Sequence, residues 1–193
     1  MSRAEKFWNV PNTLTLGRLA LGLVVFGLIA VGHYLPALLV FALAAGTDAL
    51  DGYLARLLNQ STAIGRQLDP LVDKLLVSGG FIYLLKIPGT GLAPWMVASI
   101  VARELIVQAL RSLIEGRGVA FGARLAGKLK TLLQCLSIAA ILAVLWLEPS
   151  RPWRVGRDAL TWSAVVLTIY SGLGYVALAW PSLRGDEAEK TPT

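Results

Sequence analysis

An all-α integral membrane protein with six transmembrane helices is the fold class predicted for this sequence, on three observations. The 193 residues are 55% hydrophobic and 16% charged, with a mean hydropathy of +0.63, a balance suited to a bilayer rather than to water. Six stretches reach the roughly 20 helical residues needed to cross about 30 Å of hydrocarbon: 12–32, 35–58, 68–87, 93–115, 124–147 and 158–180. The connections between them are short and carry turn-forming words, GHYLP, IPGTGLAP and EPSRPWRVG.

Residues 1–11 form an interfacial amino-terminal segment ahead of a six-span domain, 12–180. The first stretch is too long for a signal-peptide core and runs through GLIAVGHYLP directly into the second, so it is expected to be retained. Trp8, Trp95, Trp146, Trp162 and Trp180 fall near span ends, where indoles favour the membrane interface, and Trp153 is expected in a loop. Arg3, Lys6, Arg56, Arg66, Arg111, Arg117, Arg124, Lys128, Lys130, Arg184 and Lys190 share one side, against Lys86, Arg151, Arg154 and Arg157 on the other. That bias predicts both termini in the cytoplasm. The closing 181–193 is a polar tail expected to be disordered. The single Cys135 permits no internal disulfide, and His33, alone in a short connection, reads as interfacial. A net charge of +6 calls for no nucleic acid, since attraction to anionic membrane lipids accounts for it.

Four of the six aspartates nevertheless fall within or beside these apolar stretches, in DALDGYLARLLNQSTAIGRQLDPLVD from 48 to 73. An aspartate at a helix centre costs roughly 2.5–3.5 kcal/mol on insertion scales, so something must offset the set. Asp48 and Asp51 are three apart and Asp69 and Asp73 four apart, which puts each pair on one face of its helix. Two facing helices would gather four carboxylates, a donor set suited to a hard divalent cation, magnesium or manganese. Gly52, Ala55 and Gly65 stand four residues from an aspartate and clear space beside the acids. Close helix packing would use small residues equally well. Arg56 and Arg66 border the site and can pair with phosphate oxygens, and Ser61 and Thr62 can donate hydrogen bonds. Acids, cation and arginines together point to a pyrophosphate substrate; the plainer alternative is a set of intramembrane salt bridges.

The same stretch resembles the signature of the CDP-alcohol phosphotransferase family, D-x-x-D-G-x-x-A-R followed after eight residues by G-x-x-x-D-x-x-x-D. Asp48, Asp51, Gly52, Ala55, Arg56, Gly65, Asp69 and Asp73 fill every fixed position. The resemblance implies a six-helix membrane fold, homodimeric, in a cell membrane (the inner one in bacteria), with its active site facing the cytoplasm. It implies transfer of a phosphatidyl group from CDP-diacylglycerol to an alcohol with release of CMP. Carried over residue by residue, it makes Asp48, Asp51, Asp69 and Asp73 ligands of two magnesium or manganese ions, and Asp73 the group that takes the proton of the attacking hydroxyl. It assigns the CDP-lipid to Asn12, Gly52, Ala55, Arg56, Thr62, Gly65 and Arg66.

In the fourth span Glu104, Gln108, Arg111 and Glu115 step by four, three and four, a polar stripe expected to face the bundle interior. Gly127, Thr131 and Gln134 form a second stripe on the fifth, with Lys128 and Lys130 at its start. Arg111, Lys128 and Lys130 would suit a phosphorylated acceptor, although basic residues of this kind can serve topology alone. ARE, GKLKTLLQ and the opening PNTLTLGR are similar to the phosphatidylglycerophosphate synthase branch, which implies glycerol 3-phosphate as acceptor and phosphatidylglycerophosphate as product. The segment from Arg117 to Lys128 departs from that branch in having no serine. Cardiolipin synthases and phosphatidylinositol phosphate synthases are the alternatives within the family. From other classes, a divalent-cation transporter would place acids near the midplane without flanking arginines, and a membrane prenyltransferase would not carry DGYLAR.

Overall fold

The computed structural model describes residues 10–58, 63–115, 125–147 and 151–184, with the side chains of 13–47, 71–114, 127, 129–147 and 151–180. Six helices fill these ranges: α1 (Val10–Ala30), α2 (Tyr34–Leu58), α3 (Ala63–Leu85), α4 (Pro94–Glu115), α5 (Leu125–Leu147) and α6 (Arg151–Arg184). Each corresponds to one of the six expected stretches. Pro11, Pro36, Pro94 and Pro152 all sit in first turns, where a missing N–H costs nothing. Gly32 ends α1 at φ 79°: its N–H bonds the Ile29 carbonyl at 3.1 Å and that of His33 bonds Leu28 at 2.9 Å, the paired closure that a left-handed residue allows.

Among the described residues, α1 packs on α2 and α3, α5 on α2, α3 and α6, and α4 on α3 and α6. The core lies between them, with Phe41, Phe81, Leu84, Ile100, Ile138, Ile141 and Leu142 essentially sealed from solvent. Polar bonds run through the α5–α6 seam, Ser137 to Thr161 at 2.8 Å and Gln134 Nε2 to Thr168 at 2.9 Å, where apolar surroundings make each partner obligatory. Leu23, Leu39, Leu43, Leu105, Leu113, Tyr170 and Leu173 stand exposed on the outside. Apolar surface spread over so many helices suits hydrocarbon as its solvent. Thr13–Ala30, Leu129–Leu147 and Arg151–Trp180 are long and apolar enough to cross a membrane, and Tyr34–Thr47 is a shorter apolar segment. In α3 and α4 charged residues interrupt the apolar runs, so a count of six crossings rests on the sequence expectation rather than on these helices' composition.

The start of the last helix corrects the sequence expectation. EPSRPWRVG reads as a connection with Trp153 in a loop, yet α6 begins at Arg151 and Trp153 is helical and exposed. Arg157 explains the extension. Its guanidinium donates to the Gly89 carbonyl in the α3–α4 connection and to Asp158 Oδ1 at 2.6 Å, tying the first turns of α6 to that connection. Gly91, at φ 74°, lies so close that a Cβ would stand 2.5 Å from Asp158 Oδ1, which leaves glycine as the residue that fits. The tail is corrected as well: α6 continues through Pro181–Arg184, past the expected boundary at 180. At 34 residues it is about 51 Å long, well beyond the hydrocarbon thickness. Residues 185–193 lie outside the described residues.

Candidate active site

α2 ends at Leu58 and α3 starts at Ala63, so four residues join them. Measured along the helices, Asp48 and Asp51 stand 10 and 7 residues before Leu58, and Asp69 and Asp73 stand 6 and 10 residues past Ala63. At 1.5 Å per residue the aspartates lie about 9–15 Å along their own helices from those ends. Gly52, Ala55 and Arg56 follow on α2, and Gly65 and Arg66 precede on α3. The side chains of all these residues except Asp73 lie outside the described residues, as does Thr62 entirely; Asn12 falls in the first turn of α1, its side chain likewise outside.

Asp73 is the described member of the signature, and it borders a cavity of about 510 Å³. Its carboxylate pairs with Arg18, which α1 buries to 3% exposure against α3. A guanidinium at that depth needs such a partner. Lys74, next in the chain, donates to Gln108 Oε1 across the α3–α4 contact. From α4, Glu104, Gln108 and Arg111 line the same cavity, as the four-and-three spacing of the polar stripe requires, and Arg103 joins them. α5 supplies Gly127, Lys130 and Thr131, α6 supplies Tyr175, and Ala45 closes the α2 side. A second cavity of about 150 Å³ shares Asp73, Lys74, Glu104, Arg111, Lys130 and Thr131 and reaches Val77 and Gln134.

The described lining thus carries four cations, Lys74, Arg103, Arg111 and Lys130, against two carboxylates, Asp73 and Glu104. Three of the cations have acceptors within the protein. Lys74 bonds Gln108 and Lys130 bonds Glu104. Arg103 reaches Glu104 at 3.3 Å and Ser171 Oγ at 3.1 Å, with its guanidinium 5.5 Å from the centre of the Tyr175 ring. Arg111 differs in having no hydrogen bond or ion pair to a described residue; its buried Nε, like that of Arg103, finds no partner among them.

Of the three expected acceptor residues, Arg111 and Lys130 both face the cavity, and Lys128 lies in α5 with its side chain outside the described residues. Lys130, expected at the start of the fifth span among the basic residues of the cytoplasmic side, is only 3% exposed and is held by Glu104. Glu104, Gln108, Thr131 and Gln134 lie where the stripes predicted, while Glu115 ends α4 with its side chain outside. Sequence reasoning missed Arg18, Lys74, Arg103 and Tyr175 as site residues. Arg18 and Arg103 stand inside words already singled out, PNTLTLGR and ARE, and Lys74 directly follows Asp73. Tyr175, one of two tyrosines in an apolar span, carried no signal of its own.

Among the described residues no group of three or more His, Cys, Asp or Glu side chains could hold a metal ion. The donors expected for one are carboxylate oxygens of α2 and α3. Asp73 has the oxygen donors such an ion takes, and its carboxylate borders the cavity.

Residues 8–170 match the family described as CDP-alcohol phosphatidyltransferase. The chain is 37% identical to a Bacillus subtilis (strain 168) protein named CDP-diacylglycerol-glycerol-3-phosphate 3-phosphatidyltransferase, over 92% of this chain and 98% of that one. Relatives with the same name from Pseudomonas fluorescens and Escherichia coli (strain K12) are 37% and 35% identical, over 92% and 89% of this chain and 93% and 95% of theirs. With its aspartate signature on two joined helices and its similarity running through nearly the whole chain, this membrane protein belongs to the CDP-alcohol phosphatidyltransferase family.

Proposed function

We propose that the protein transfers the phosphatidyl group of CDP-diacylglycerol to glycerol 3-phosphate, giving phosphatidylglycerophosphate and CMP. The observation that carries the reading furthest is the cavity itself, where Asp73 of the family signature and the cationic stripe of α4 and α5 meet. The names of the relatives supply the substrate pair.

Asn12, Gly52, Ala55, Arg56, Thr62, Gly65 and Arg66 hold the CDP-lipid, the glycines and alanine by leaving room and the arginines by pairing with phosphate oxygens. Asp48, Asp51, Asp69 and Asp73 hold two divalent ions, magnesium or manganese, which supply charge neutralisation for the diphosphate and the leaving group. Arg111, Lys128 and Lys130 hold the phosphate of the acceptor and aim its hydroxyl at Asp73. Asp73 takes the hydroxyl proton as the oxygen attacks phosphorus; a new P–O bond forms, the P–O bond to CMP breaks, and CMP leaves with that electron pair. Arg18, behind Asp73, fixes the carboxylate for that task. Purified protein supplied with CDP-diacylglycerol and a divalent ion should release CMP with glycerol 3-phosphate and not with inositol phosphate or phosphatidylglycerol. Preference for either of those would move the protein to another branch, and cation flux without CMP release would favour a transporter.

The protein works as a homodimer in a cell membrane, the inner one in bacteria, with six crossings, both termini in the cytoplasm and the α2–α3 connection on that side. The excess of basic residues there motivates this topology. A reporter cysteine at Asn59 in a Cys135→Ser background should react with membrane-impermeant thiol reagent only after cells are opened; labelling in intact cells would reverse the orientation.

A further inference from the structure

Glu104 is a carboxylate inside a cavity that otherwise suits an anion, and the reaction proposed above assigns it nothing. It is 4% exposed, and Lys130, which donates to its Oε1, is 3% exposed. On its other side stands Arg103, whose guanidinium approaches both carboxylate oxygens at 3.3 and 3.4 Å. Arg103 is itself fixed from α6, by Ser171 Oγ, by the Tyr175 ring and by Gly172, where an added Cβ would come within 2.9 Å of its Cγ. The carboxylate is therefore clamped between α4 and α5, with α6 holding the clamp.

We infer that Glu104 is a positioning residue of the acceptor site. An ammonium has three N–H donors, and the one given to Glu104 fixes the direction of the other two. Lys130 lines the cavity, so those two donors serve a phosphate monoester there. An unpaired ammonium this deeply buried would shed its proton or leave the site, and either change removes a phosphate ligand. Glu104 thus weakens the cavity's overall attraction for anions while keeping one cation charged and aimed. Net attraction survives because Lys74 and Arg111 spend no charge on Glu104 by direct contact. The inference rests on the reaction proposed above and names a further residue that determines how its acceptor is recognised.

The test is a double-mutant cycle of E104Q and K130Q, read as separate Michaelis constants for the two substrates, with the thermal midpoint in detergent recorded for each variant. E104Q should raise the KM for glycerol 3-phosphate about tenfold, the scale of one hydrogen bond to a charged group, with kcat and the KM for CDP-diacylglycerol little changed. The double variant should be no worse than K130Q alone, because both changes remove the same link. E104D, which keeps the charge on a shorter stem, should fall between wild type and E104Q. If E104Q does not accumulate as folded protein, E104D decides: a raised KM for glycerol 3-phosphate alone supports the role, and an unchanged one overturns it. Additive effects, equal losses for both substrates, or a lowered KM for glycerol 3-phosphate would each overturn it too, the last by showing a carboxylate that competes with phosphate. A wild-type protein that releases no CMP with glycerol 3-phosphate sinks the reaction itself, a result distinct from active wild type with an indifferent Glu104.

Discussion

Asp73→Asn is expected to lower CMP release by at least about a hundredfold while CDP-diacylglycerol still binds, since general-base assistance alone contributes on the order of 10² to 10⁴ in rate. The substitution keeps volume and one oxygen acceptor but removes the proposed base and one proposed metal ligand. The contact with Arg18 adds a second consequence. Arg18 is buried, and an amide compensates its charge less well than a carboxylate, so the variant should also lose stability. The rate must accordingly be expressed per folded protein, from a thermal midpoint and a CDP-diacylglycerol binding measurement on the same preparation. Near-normal turnover at saturating magnesium would show that Asp73 takes no proton in the reaction.

Arg111→Gln should raise the KM for glycerol 3-phosphate roughly tenfold to hundredfold and leave that for CDP-diacylglycerol nearly unchanged, from the 1.5–3 kcal/mol typical of a hydrogen bond to a charged group. Among the described cations of the cavity it is the one with no hydrogen bond or ion pair to a described residue, so a ligand's phosphate need not displace an internal partner. Lys130 stands differently, because Glu104 already holds it. A purely topological role for Arg111 would show instead as equal losses for both substrates, or as none once protein amount is corrected.

The six helices were legible because each contains a largely apolar stretch, most of them bounded by proline or glycine, and bilayer thickness sets the length to look for. What misled was the same punctuation at 148–156. Pro152 and Gly156 signal a connection locally, whereas the Arg157 clamp on the Gly89 carbonyl is a contact between residues 68 positions apart that no local pattern contains. Within the site, the polar stripe of α4 was readable from its spacing, since three and four residues bring side chains to one face whatever surrounds them. Its partners were not. Glu104 meeting Lys130 and Arg18 meeting Asp73 depend on how α4 packs near α5 and α1 against α3, and spacing within one helix carries no information about register between two. Lys130 shows the cost of that gap: its position at the start of a span suggested a surface charge, and packing made it a buried one.

The most direct test of the proposed reaction follows the acceptor's atoms into the lipid. Purified protein would be given CDP-diacylglycerol, magnesium and glycerol 3-phosphate labelled with carbon-13, and the extracted lipids weighed by mass spectrometry alongside a count of CMP. The reaction proposed requires labelled phosphatidylglycerophosphate in equal amount to the CMP released, and no such lipid from the Asp73→Asn protein. CMP released with the label still in water-soluble form, or labelled lipid absent while inositol phosphate or phosphatidylglycerol is consumed in parallel reactions that supply it, would contradict it.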